Sequence, residues 1–144
     1  MGDELATANV NRSYQLAGTG IAIFTFTLGF LYPRFVSGDI DGTLFEAALV
    51  VLGVATFAYL LAAFHYYGSS IGRRISDAER AVLSRRGDWL WLIGMTLVFL
   101  DPSLILVAAR LVVVGAAWFA FWLVYVLFAI RFFPRVKTSS KDAR

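Results

Sequence analysis

Cysteine is absent from the chain and histidine occurs once, at His65. The first absence excludes disulfides, thiolate metal sites and thiol chemistry. The second excludes a bis-histidine haem held by one chain. Charge is scarce too: 16% of the 144 residues are charged, where a soluble domain carries about 25%. No nucleophile–base arrangement, metal-ligand cluster, P-loop or glycine-rich phosphate fingerprint occurs, so enzyme activity has no positive support and no cofactor is specified. Nothing points to nucleic acid.

What is present is apolar. Hydrophobic residues make up 59% of the chain and aromatics 16%, with a mean hydropathy of +0.71; soluble domains are about 45–50% apolar. A fold this small leaves much of its surface exposed, so a water-soluble helical bundle could not hide that load. The composition specifies an integral membrane protein. The polar, acidic start "MGDELATANVNRSYQ" lacks the basic region and short apolar core of a cleaved signal peptide. Ala6 stands where a myristoylation signal needs Ser or Thr. The first apolar segment is therefore expected to remain in the mature protein.

Four apolar segments can be read, at about 14–32, 43–67, 77–100 and 102–133. The first is expected to stop at Pro33, because proline disfavours helix at the residue before it. "YPRFVSGDIDG" follows as a turn-rich connector. Thr43 with Glu46, and Ser76 with Glu79, carry the capping-box spacing that opens a helix. A basic loop, 68–88, joins the second and third segments and includes the third helix's first turns.

Residues 89–133 can hold two spans, and the reversal between them has two candidate positions. One is Ala108–Arg110, which would make spans of about 20 residues, but "LVAARLV" has no Gly, Pro, Asn or Asp to close a hairpin. The other is Asp101-Pro102, with Asp as the cap and Pro at the first helical position. Cap chemistry favours the second. The fourth helix would then be roughly 48 Å long against an apolar third helix of roughly 18 Å. Such a mismatch implies tilt, protrusion or a protein-lined recess at the turn.

Basic residues divide unevenly on this topology. Arg12, the five arginines of the 68–88 loop and the five basic residues from Arg131 onward fall on one side, and Arg34 on the other. The positive-inside rule then predicts a four-helix transmembrane bundle with both termini and the 68–88 loop cytoplasmic; a prokaryotic-type cell membrane is the expected location. The basic tail 134–144 reads as a stop-transfer flank, with anionic-lipid binding as the sharper alternative.

Three groups of residues are candidates for function. Arg110 would lie inside a span, where an arginine costs about 2.5–3.5 kcal/mol on insertion scales; Glu46 and Asp101 are its prospective partners from the same side. The first helix is the most polar. Gln15, Thr19, Ile23, Thr25 and Thr27 form either a packing face or a pore lining, and Gly18 with Ala22 makes a small-xxx-small contact. On the fourth helix Trp118, Trp122 and Tyr125 share one face, suited to packing, to a partner subunit or to an apolar ligand such as a quinone or pigment. His65 with Tyr66 and Tyr67 reads as an interfacial aromatic belt, with a proton relay as the alternative.

"NRSYQLAGTGIAIFTFTL" and "FAYLLAAFHYYGSSIGRRISDAERAVLSRRGDWLWLIGMTLVFLDP" together resemble the prokaryotic relatives of the endolysosomal potassium channel. The resemblance covers about half the chain and rests on Arg12, His65, the stretch Trp89 to Leu100 and Pro102. It departs where Leu16, Ala17 and Gly18 replace that family's Phe-Ser-Asp motif, and in having four helices where the family's repeat has six. The resemblance implies a dimeric or tetrameric pore lined by the first helix, with Ile21 or Ile23 as its constriction. Taken on the residues alone, two functions remain. One is a non-catalytic subunit or scaffold of a membrane complex. The other is an oligomeric ion channel or small-solute transporter. The bilayer and a second copy or other membrane subunits are the expected partners.

Overall fold

Helix α1, Gly2–Val36, and helix α2, Gly42–Ile71, are joined by a connector in which two devices meet. Asp39 N–H reaches back to the Arg34 carbonyl and Gly38 N–H to that of Phe35. This is the Schellman pattern, and it needs a left-handed residue after the helix. Gly38 supplies it at φ 78°. Helix α1 therefore continues past Pro33, whose missing N–H falls in the last turn, and ends at Val36 rather than at Tyr32. The cap of α2 is Asp41, not Thr43: its Oδ1 accepts from Leu44 N–H at 2.9 Å. The computed structural model describes residues 2–71 and 75–132; Arg73, Arg74, Phe133 and the tail 134–144 lie outside the described residues.

Helix α3 spans Asp77–Ala108 and helix α4 spans Val112–Phe132. The Ser76–Glu79 capping box opens α3 as its spacing predicts. The far end corrects the expected topology. Asp101 and Pro102 sit inside α3, and the chain reverses at Ala109–Leu111. Leu111 N–H bonds to the Leu106 carbonyl and Arg110 N–H to that of Val107, both at 2.9 Å, a second Schellman cap. Its left-handed residue is Arg110, at φ 64°. The reversal needs one left-handed residue and no proline, which is why a stretch without turn-formers can make it. The lipid supplies the reason it must: breaking α3 at Asp101 would leave an apolar segment of roughly 18 Å in a core of about 30 Å. With the turn at Arg110 the long fourth helix and its recess disappear, and α4 begins ten residues later.

Holding a non-glycine residue in the left-handed region costs about 1–2 kcal/mol. Arg110→Gly is therefore expected to raise stability by about 1 kcal/mol. A shifted denaturation midpoint in mixed micelles checks it, and a loss of stability would mean that the guanidinium holds the turn.

All four helices are long and apolar enough to cross a membrane, and the chain is a multi-pass membrane protein by that criterion. They form an open row. Helix α2 packs on α1 and α3, α1 barely touches α3, and α4 packs on α3 alone. The seams have a seven-residue repeat. On α2 the buried residues Phe45, Leu52, Tyr59 and Tyr66 alternate with buried Ala48, Ala55, Ala62 and Ser69. On α3 Gly87, Gly94, Asp101 and Ala108 are buried at the same period. A heptad repeat of 3.5 residues per turn keeps a seam facing its partner along the whole helix.

Large residues on α2 meet small ones on α3. A methyl group added at Gly94 would lie 2.7 Å from the Tyr59 ring, and one at Gly87 2.9 Å from that of Tyr66. Phe45 and Ala108 share a core cluster at the other end. That antiparallel register brings Asp101 level with Leu52. Helix α1 joins with Val10, Ser13, Ala17, Gly20 and Thr27 buried, Gly20 lying against Thr56.

Candidate functional site

Each of the three groups singled out in the sequence acquires a place. Arg110 is not inside a span; it is exposed at the α3–α4 turn. Glu46 is exposed on the first turns of α2. Among the described residues no ion pair joins Glu46, Arg110 and Asp101. Their spatial grouping depended on a turn at Asp101, and the altered reversal separates them.

Asp101 becomes the more unusual residue. It is 3% exposed, and its Oδ1 has no hydrogen-bond partner. It lies about 10 Å along α3 from Ala108, within the hydrocarbon depth. The α2 residues at its level, Ala48, Leu52 and Ala55, offer no donor side chain. An ionisable group inside a membrane is costly unless paired. Next to it Pro102 lacks the N–H that would bond to the Val98 carbonyl.

The candidate residues of α1 divide between two faces. Thr27 is buried against the rest of the fold, while Gln15, Thr19, Ile23 and Thr25 are exposed. Thr19 and Thr25 donate to the carbonyls of Gln15 and Ile21, each at 2.9 Å, so the two hydroxyls are satisfied within the helix. Gly18, Ala22, Thr25 and Gly29 form a straight exposed stripe. A side chain added at Gly18 or Gly29 would meet nothing within 4 Å. Ala22, Thr25 and Gly29 line a shallow groove walled by the stacked rings of Phe26 and Phe30. Ile21 is exposed as well.

The aromatic face of α4 turns toward α3. Trp118 Nε1 donates to the Phe99 carbonyl at 3.0 Å and Trp122 Nε1 to that of Thr96 at 2.9 Å. The Tyr125 ring lies 4.9 Å from that of Phe99. Ser103 Oγ donates in return to the Gly115 carbonyl at 3.0 Å, and Gly115 sits close enough to Val107 that no larger residue fits. Indole N–H groups in an apolar medium need acceptors, and these two find them in the α3 backbone. The opposite face of α4 is uniformly apolar and open: Val113 is 84% exposed, and Phe121, Val124 and Leu127 are exposed with it.

His65 accounts for its own polar atom locally, with Nδ1 2.8 Å from the Leu61 carbonyl, a distance suited to an Nδ1–H donor. Among the described residues no group of three His, Cys, Asp or Glu could hold a metal ion.

One cluster escaped the sequence reading. Arg12 stacks over the Trp91 ring at 4.8 Å, and Tyr66 OH donates to Asp88 Oδ1 at 2.9 Å. With Asn9 these residues line a cavity of about 150 Å³ between α1, α2 and α3. Its members are spread over some eighty positions, so no local pattern announces it. The available signal was an arginine flanking the first apolar span, and an aspartate flanking the third beside two tryptophans. No protein-family model matches the chain, nor does any curated protein or any solved structure.

Proposed function

We propose that the protein is a non-catalytic subunit or scaffold of a membrane complex, with both termini cytoplasmic in a prokaryotic-type membrane. The observation that carries this reading is the uncovered face of α1. Gly18, Ala22, Thr25 and Gly29 repeat at helix-pairing spacing and face away from the rest of the fold. Small residues matter between membrane helices because they let backbones approach closely where no hydrophobic force drives association. Among the described residues nothing in the open row of helices uses this stripe, and a further transmembrane helix fits it. The orientation rests on charge: with the reversal at Arg110, eleven of the 13 basic residues still fall on one side, against Arg34 and Arg110 on the other.

The alternative is an oligomeric ion channel or small-solute transporter, in which copies associate so that α1 lines the path. The exposure of Gln15, Ile21 and Ile23 supports it. Against it stand the Thr19 and Thr25 hydroxyls, which are bonded to their own helix and offer less to water.

Oligomeric state and flux in native-like lipid separate the two. The scaffold reading expects a stable assembly without ion or solute flux in liposomes, and expects Gly18→Leu with Gly29→Leu to dissolve it while the chain stays folded. Flux that stops with Ile23→Asp would replace it with the channel. A wild-type monomer without partner would overturn both.

A further inference from the structure

The cavity between α1, α2 and α3 has an address in the membrane. From Gly42 to Tyr66 is about 36 Å along α2, and the hydrocarbon core is about 30 Å thick. Tyr66 and the residues beside it therefore sit at headgroup level, opposite the α1–α2 connector. Trp89, exposed two residues from Trp91, occupies the depth that tryptophan favours.

Its size is restrictive. A volume of about 150 Å³ is far below the roughly 300–1,000 Å³ of pockets for drug-sized ligands. It matches the space of about five waters, enough for one compact polar headgroup and no more.

Its chemistry is bipolar. Arg12 is held by its flat face on Trp91, which leaves the N–H edge of the guanidinium available for a phosphate oxygen. Asn9 adds an amide at the same wall. Asp88 is the anionic wall: Tyr66 is one of its partners and donates to Oδ1, and because a carboxylate accepts several donors at once, its existing contacts leave room for another. A purely anionic ligand would meet Asp88 and a purely cationic one Arg12. A zwitterion with phosphate and ammonium a few bonds apart satisfies both. Of the lipid headgroups, ethanolamine carries an ammonium with three N–H donors, whereas choline has none.

We propose that the Arg12–Asp88 cavity binds the phosphoethanolamine headgroup of a phospholipid, with the phosphate on Arg12 and Asn9 and the ammonium on Asp88. The lipid is the source in preference to a free phosphoethanolamine because the cavity lies at headgroup depth, where acyl chains can run down the apolar surface below it.

The test uses the full chain in detergent, titrated with phosphatidylethanolamine, phosphatidylcholine, phosphatidylglycerol and soluble O-phosphoethanolamine, with bound lipid counted by native mass spectrometry. Phosphatidylethanolamine should bind about tenfold or more tighter than the other three, as expected for one charge-assisted pair. Asp88→Asn keeps the acceptor for Tyr66 OH, so it should preserve the fold while erasing the preference over phosphatidylcholine. Arg12→Gln should weaken both lipids alike. Arg12→Lys, which keeps the charge and loses the stack, serves as the second variant should Arg12→Gln fail to purify as a single species. An undiminished ethanolamine preference in Asp88→Asn overturns the proposal. Equal binding of phosphatidylglycerol does so too, and equal affinity for soluble O-phosphoethanolamine overturns the lipid as source.

Discussion

Gly94→Val will cost about 1–3 kcal/mol, the range for overpacking a filled interior. The Cβ alone would come within 2.7 Å of the Tyr59 ring, and Tyr59 is 1% exposed, with no room to move aside. Valine then adds two methyl groups in the same direction. Native stabilities are about 5–15 kcal/mol, so this one change removes a large fraction. Gly53 is the internal control. It lies on the exposed side of α2, where an added Cβ meets nothing within 4 Å, and Gly53→Ala should gain about 0.5–1 kcal/mol from helix propensity. Opposite signs at two glycines of similar sequence context can be read from unfolding midpoints in mixed micelles. A double-mutant cycle of Gly94→Ala with Tyr59→Leu should show coupling of about 0.5–3 kcal/mol. Additive effects would mean that the two residues do not meet.

Asp101→Ala should stabilise the protein by about 1–2 kcal/mol, the penalty of a buried polar group without partners less the small cavity left behind. It would extend the small-residue series Gly87, Gly94, Ala108 by one member. A buried polar group retained against stability is the pattern of a functional residue, since natural proteins keep destabilising groups where activity needs them. The measurement is the same unfolding titration, run beside Asp101→Asn, which preserves shape and polarity and should recover little of the gain. A loss of stability in Asp101→Ala would show that the carboxylate has a partner, such as an ordered water, and that the α2–α3 seam is wet at this level.

Four apolar helices follow from composition and segment length alone, because a lipid core leaves the backbone few other ways to satisfy its N–H and C=O groups. The Ser76–Glu79 cap was equally legible, since a capping box is a local device contained in four residues. The second reversal was not. Asp101-Pro102 carries the stronger local turn signal, yet α3 passes through it, because the membrane's thickness sets how long the helix must be before any turn is allowed. Arg110 then takes a backbone conformation for which its side chain gives no hint. The paired seam was present in the sequence as two heptad series, large on α2 and small on α3, but a series of glycines has meaning only once a ring is known to lie over each. The Arg12–Trp91–Asp88–Tyr66 cluster was beyond reach for the same reason. Local patterns encode which segments enter the bilayer, whereas the register between segments depends on shape complementarity that no single segment contains.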